Sequence, residues 1–400
     1  MIDSRFKVDY NFRYFLRLMS AVLDSEPAPM ADKEVNWQCL YDIAVEHSLG
    51  AMLYSAIESL PAEGKPQGDF MPYLAQLYRQ QIVTDFNLSM ETERITKLLS
   101  DNGIPSMPVK GVVTKNDYPQ SSLRSMCDVD ILCPKEKRID AHNIFIAEGY
   151  ERENIGEKDT SYRKSEIFHF ELHHSLLSDT SEAYEYFSKV WDRAEQIENT
   201  LVYKMSCEDT YIFMLEHLAS HILYGGAGLR MYMDVYVFLK KHKCELDTTY
   251  TDRILGSIGL KDFEEKTKDI AQKLFGNSEK SLPDDICYFL LNSCTFGNSE
   301  VVFVSDTIRN RKGKNSVSNG ISRIIRKIFP KVSWMRLRFS SVDKVPFLYP
   351  FFLPAHWIDR VFVKRNVKTA NISSYFASDS SENAKNLRNL YLSLGLEKRI

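Results

Sequence analysis

Asp128 and Asp130 stand two residues apart in the apolar run Val129-Asp130-Ile131-Leu132-Cys133, downstream of a turn at Lys110-Gly111. Successive side chains of a strand point to opposite faces, so these acids share one face, with Cα atoms roughly 6.5–7 Å apart, while Val129, Ile131 and Cys133 turn into the core. Unpaired, the two carboxylates repel by on the order of 3 kcal/mol at about 5 Å and an effective dielectric of about 20, a cost that a divalent cation between them removes. Magnesium suits such a site, because it takes a few carboxylate oxygens and completes its shell with water and substrate phosphates. A third acid is available in Ile167-Phe168-His169-Phe170-Glu171-Leu172-His173. Alternation places Phe168, Phe170 and Leu172 on one face of a strand and His169, Glu171 and His173 on the other. Beside the Asp128 strand, Glu171 would close a three-carboxylate cluster. A separation beyond about 10 Å would remove the two-metal arrangement.

These side chains need elements to hold them, and the chain reads as four sections. Residues 1–72 show helical spacing, as in Phe12, Phe15, Leu16 and Met19, then Leu40, Ile43, Ala44 and His47, before a Pro- and Gly-containing connector from Pro61 to Pro72. Residues 73–200 open with a helix over Tyr73–Leu99 and continue through strands near Ser106–Val109, Asp128–Cys133 and Ser165–His173, with a crossover helix over Arg138–Glu148. Residues 201–300 are again helical, starting at Ser206, where Ser-Cys-Glu-Asp supplies a capping hydroxyl and acids in the first turn. Residues 301–400 form a basic, aromatic-rich region. Within the third section, Arg230 and Asp234 are one helical turn apart and read as an ion pair. Gly225-Gly226-Ala227-Gly228 lies between helices and reads as a turn rather than a phosphate loop. His217 and His221 lack the glutamate that a zinc-protease helix places after its first histidine, and read as packing or substrate contacts.

Lys110-Gly111, Tyr118-Pro119, Arg124 and Asp128-Val129-Asp130, followed by the Glu171 strand, resemble the bacterial uncharacterised nucleotidyltransferase family of the DNA polymerase beta-type superfamily. Trp37, Leu40, Ala44, His47 and Leu53-Tyr54 look like its N-terminal helical signature. Glu208-Asp209, His217, His221, Gly228-Leu229-Arg230 and Asp234 resemble its helical domain. The resemblance implies an α+β fold, a small mixed-sheet nucleotidyltransferase core flanked by N-terminal and C-terminal helical regions. It implies transfer of a nucleoside monophosphate from a nucleoside triphosphate to an acceptor hydroxyl. Two magnesium ions about 3.5–4 Å apart would be held by Asp128, Asp130 and Glu171. Nucleotide contacts fall to Lys110, Gly111 and Arg124, and substrate contacts to His173 and Arg230. The superfamily's usual turn is Gly-Gly or Gly-Ser, and Lys110-Gly111-Val112 departs from it. That departure keeps a second reading open: a catalytically inactive binding or assembly protein linked to membrane-associated glycan synthesis.

Composition agrees with a globular chain of two or three domains at 400 residues. The sequence shows neither a secretory signal nor an apolar run long enough for a transmembrane helix. Seven cysteines without a Cys-x-x-Cys pair fit a reducing cytoplasm and argue against a disulfide frame or structural zinc. Net charge is -3 overall, yet from Val301 onward 19 Lys and Arg face 6 Asp and Glu, or +13, which leaves -16 for the remainder. Such a region suits an anionic partner, including a membrane surface, or the acidic remainder of the chain itself. Its segment Val345-Pro346-Phe347-Leu348-Tyr349-Pro350-Phe351-Phe352-Leu353-Pro354 cannot be a regular helix. Packed on the chain, its aromatics would contribute roughly 1.5–3 kcal/mol each. We therefore expect no sedimentation of the full chain with anionic vesicles at low salt; salt-sensitive sedimentation would assign the region to lipid instead.

Overall fold

The N-terminal helices form where capping side chains meet amphipathic spacing. In the computed structural model, which describes residues 7–67, 70–156, 158–276, 282–295 and 380–400, helix α1 (Tyr10–Asp24) starts at Asp9. The Asp9 carboxylate accepts the amides of Asn11 and Phe12. Helix α1 buries Phe12, Phe15, Leu18 and Met19. Asn36 caps α2 (Trp37–Glu46), and α3 (Gly50–Glu58) follows. Helix α4 runs from Phe70 to Asp101, 32 residues, about 48 Å long at 1.5 Å per residue. It starts earlier than the sequence spacing predicts, because Pro72 falls in the first turn, where a missing amide proton costs no helical bond.

The sheet comes next. Strand β1 (Met107–Val109), the single-turn helix α5 (Gly111–Thr114), β2 (Val129–Leu132), α6 (Arg138–Ala147), β3 (Glu151–Ile155), β4 (Asp159–Arg163) and β5 (His169–His173) follow in order. The strands lie in the order β1-β2-β5-β4-β3. Only the β2–β5 pair is parallel. The expected strand over Ser165–His173 is shorter than predicted. The Ser165 hydroxyl accepts the amides of Ile167 and Phe168, making a turn that delays the strand to His169. Strands β3 and β4 went unrecognised in the sequence, since β3 (Glu-Arg-Glu-Asn-Ile) is mostly exposed and carries no apolar alternation.

One sheet face presents Val129, Ile131, Phe170 and Leu172 to Leu88, Ile95 and Leu99 of α4 and to Phe145 of α6, all buried together. The Phe145 ring stacks on Tyr162 at 4.6 Å. Leu132, on the other face, joins the larger core formed with the helical regions. After α7 (Tyr184–Phe187) and the two-residue strands β6 (Glu195–Gln196) and β7 (Tyr203–Lys204), five helices follow: α8 (Cys207–Tyr224), α9 (Leu229–His242), α10 (Thr248–Ser257), α11 (Lys261–Phe275) and α12 (Asp284–Ser293). Ser206 caps α8 as its sequence suggests, accepting the Asp209 amide at 3.0 Å. Helix α13 (Ser380–Ser393) returns to this core, where the buried Tyr391 hydroxyl donates to the Ile222 carbonyl at 3.2 Å. The basic stretch from Val301 to Lys344, the Pro-aromatic segment and Trp357 lie outside the described residues. Among those described, no helix is long and apolar enough to cross a membrane.

The glycine turn joining α8 to α9 is held by close approach: a Cβ on Gly228 would fall 2.0 Å from the Cys294 carbonyl oxygen. His47 lies against the same turn, fully buried, with Nε2 donating to the Leu291 carbonyl at 2.9 Å. Burial pushes its pKa down to about 4. Unfolded, the ring titrates near 6.5, so it contributes stability above that pH and loses it as pH falls toward 4, on the order of 3 kcal/mol in all. Denaturant midpoints should therefore drop between pH 7 and 4.5, and His47→Gln should flatten that slope; an unchanged slope would show that this histidine does not drive it.

Candidate active site

Asp130 and Glu171 come side by side because β2 and β5 run parallel in a register that sets Asp130 opposite Glu171 and Leu132 opposite His173. Oxygens of Asp130 and Glu171 and a ring nitrogen of His173 lie within 4.8 Å of one another. Asp128 immediately precedes β2 and lines the same cleft, a cavity of about 620 Å³ between the sheet and helices α8 and α9. Burial, then the charges of Asp130 and Glu171, push the Asp128 pKa up.

Asp130 is only 5% exposed and carries two donors on one oxygen. Its Oδ1 accepts from Lys110 Nζ at 2.5 Å and from His173 Nε2 at 2.6 Å. Burial opposes its ionisation, yet the Lys110 charge and the His173 hydrogen bond outweigh that and hold the carboxyl well below its usual range. The His173 pKa is correspondingly raised: burial works against the imidazolium, but bonds to Asp130 and Glu171 prevail. The same nitrogen lies 3.5 Å from Glu171 Oε2, while Nδ1 is 3.9 Å from Asp159 Oδ2. His169 sits farther along β5, 3.3 Å from Glu153.

Lys110 occupies an unusual backbone position at the end of β1, with φ 58° and ψ −130°. Side-chain-bearing residues enter that region at a cost of about 1–3 kcal/mol, which the surroundings must hold in place. A Cβ on Gly111 would come 2.4 Å from Arg124 Nη1, so a larger residue there would push the guanidinium off its place.

The Arg124 guanidinium lines the cleft and is engaged there by Asp234. Its Nε and Nη2 donate to the two oxygens of Asp234, each at 2.8 Å, and the Tyr118 hydroxyl donates to Asp234 Oδ1 at 2.8 Å. The i,i+4 pair expected between Arg230 and Asp234 does not form, because Asp234 turns toward the guanidinium that can meet both of its oxygens. Arg230 instead donates to the Ser125 carbonyl at 3.0 Å and lines the cleft. His217 and His221, on α8, line the same cleft and pack edge to face at 4.5 Å. Burial pushes both below the usual imidazole range, His221 to about 4, so the pair faces the acids uncharged at neutral pH.

Sequence reasoning missed several groups around this site. Buried Lys115 donates to Asp85 Oδ1 at 2.6 Å and to Ser89 at 2.5 Å, and Ser121 donates to Asp85 Oδ2 at 2.6 Å. These bonds pin the segment after Gly111 to α4. Lys158 and Asp159, at the start of β4, face the acids as well; burial and then the Lys110 charge lower the Lys158 pKa. The one available signal for them was the charged pair just before Thr160, in a region not recognised as strand.

With this geometry in hand, comparison with known proteins is direct. The profile of the family described as uncharacterised nucleotidyltransferase matches residues 33–276, a span that contains α2, the whole sheet, the acids and α8 to α11. The chain belongs to that family. No curated protein matches it. Among solved structures, the solution structure of the antibiotic-resistance factor ANT(2'')-Ia aligns at 12% identity with a TM-score of 0.34, covering 46% of this chain and 96% of that one. The family match spans both sides of the cleft, so the Arg124–Asp234 clamp lies inside it. Removing one partner of a buried ion pair strands the other, at a cost of about 3–5 kcal/mol. We expect Asp234→Ala to lose that much in chemical denaturation and Arg124→Met with Asp234→Leu to lose less than the two single changes combined. Strict additivity would show that the pair is not coupled.

Proposed function

We propose that the protein transfers a nucleoside monophosphate from a nucleoside triphosphate to an acceptor hydroxyl at the Asp128–Asp130–Glu171 cluster. The observation that carries the reading is the convergence of Asp130, Glu171 and His173 within 4.8 Å beside a cleft that both carboxylates line, in a chain of the nucleotidyltransferase family. The donor set fits a hard divalent ion, magnesium by preference, since carboxylate oxygens dominate and Asp128 sits in a field of like charge that a cation would relieve. Asp128, Asp130 and Glu171 would hold it. When bound, metal supplies charge neutralisation for the triphosphate and for the pyrophosphate that leaves.

The chain's own groups do the positioning. The acceptor oxygen attacks the α-phosphorus; the new P–O bond forms as the bond to the pyrophosphate oxygen breaks, and the electron pair leaves with pyrophosphate. Glu171 takes the hydroxyl proton, and His173, bonded to Asp130 and close to Glu171, keeps that carboxylate turned to the cleft. Lys110 and Arg230 line the cleft as cations for the phosphates, and neutral His217 and His221 offer hydrogen bonds to the acceptor. Positioning and charge stabilisation dominate such reactions.

Asp128→Asn tests the assignment. Calorimetric binding of a nucleoside triphosphate should require magnesium in the wild-type chain and weaken by at least about tenfold in the variant. Because the Asp128 pKa is raised, its ionised form opposes folding at neutral pH; the variant should keep or gain denaturation midpoint. Equally tight metal-dependent binding by the variant would overturn the assignment.

A further inference from the structure

Lys110 stands at the end of β1, and its ammonium sits among carboxylates, where a cation is wanted. Lys110 Nζ is 2.5 Å from Asp130 Oδ1. The same oxygen already accepts from His173 Nε2 at 2.6 Å, and the Asp130 side chain is 6% exposed. Two donors thus occupy one oxygen of Asp130, which is more buried than Glu171. A backbone at φ 58° and ψ −130° is a poor choice for any residue with a Cβ, so glycine would be the easier occupant. What lysine adds at this point is a charge on a flexible stem, delivered from the end of β1 across to β2.

That charge bears directly on metal entry. A dication placed within about 4 Å of the ammonium meets repulsion worth on the order of a millionfold in affinity at an effective dielectric of about 20. Free metal and the seated lysine therefore exclude each other. A nucleotide changes the balance: its phosphates bring negative charge into the cleft that Lys110 itself lines. A lysine ammonium is a compact, rotatable donor that can turn from carboxylate to phosphate without moving the backbone.

We propose that Lys110 is a built-in counter-ion for Asp130 that keeps free divalent metal out and is handed over to the phosphates when metal and nucleotide enter together. The site then takes the metal–nucleotide complex as a unit and idles as a closed ion pair without it. This inference rests on the reading of the cluster given under Proposed function and adds the order in which its charges assemble. The other ionisable groups near the cluster, Asp128, Glu171, Lys158, Asp159 and His169, place no donor on Asp130 Oδ1.

The test is manganese binding by the full chain, followed through the paramagnetic signal of the free ion, with and without a non-hydrolysable nucleoside triphosphate analogue. Wild-type protein should take up manganese weakly alone and at least about tenfold more tightly with the analogue. Lys110→Gly, which suits the backbone, and Lys110→Met should each bind manganese alone at least about tenfold more tightly than wild type and hold the manganese–analogue complex more weakly. Lys110→Arg, which keeps the charge, should still exclude free manganese. Folded Gly and Met variants that bind free manganese no better than wild type, while wild type still takes up the complex, would overturn the counter-ion proposal alone. Failure of wild type and every variant to bind manganese under either condition would overturn the metal-site reading and this proposal with it.

Discussion

A carboxylate buried in the middle of a sheet is the constraint on which the rest of the site depends. Asp130 lies on β2, a strand buried along its whole length, and a lone ionised carboxylate there would protonate rather than stay charged. It stays charged because two neighbouring strands each lend it a donor. Lys110 reaches it from the end of β1, and His173 from β5, two residues beyond Glu171. Removing β5 from its parallel place, or slipping it by one residue, would turn Phe170 and Leu172 toward the carboxylate and Glu171 and His173 into the aromatic core. Fold and site charge are thus one requirement.

Two further buried polar ties set the walls of the cleft. Asp85, Lys115 and Ser121 fix the segment after Gly111 onto α4. Arg124, Tyr118 and Asp234 fix the following loop onto α9. Because the Arg124 guanidinium lies where a Gly111 Cβ would be, the turn that carries Lys110 is wedged between the two ties. Buried ion pairs contribute little net stability when intact, but they discriminate sharply against misplacement, since a displaced partner leaves an uncompensated charge. That discrimination is what a site built from side chains on separate elements needs.

How much of this could be read from the sequence follows from how each feature is encoded. The period of two in Phe168-His169-Phe170-Glu171-Leu172-His173 and the spacing of Asp128 and Asp130 are local, and strand parity gave the shared face of Asp130, Glu171 and His173. The Ser206 cap and the helices after it are equally local. The partner of Asp234 was not legible: a pair separated by 110 positions leaves no periodic trace, and the nearer Arg230 looked like the natural choice. Strand β3 was missed because its side chains face solvent, so nothing apolar marks it. Lys110 was recognised as chemistry-bearing, but its left-handed backbone and its bond to Asp130 depend on β1 pairing with β2, which no motif states.

The distribution of charge across the cleft gives these parts a common logic. Asp128, Asp130 and Glu171 line the cleft together with Lys110, Arg230, Lys204 and Lys241, the last paired with Asp117, and an uncharged histidine pair lies on α8. A cleft acidic throughout would bind cations and repel phosphates, and one basic throughout would bind phosphates and repel metal. Combining the two signs in one cavity suits a ligand that carries both, a polyphosphate with its metal. It also explains why burial at the helical wall matters: a protonated His217 or His221 would add positive charge facing Lys110 and disturb the balance that keeps its ammonium on Asp130. The helices of the second half of the chain therefore act on the chemistry through the dielectric they impose as much as through the side chains they present.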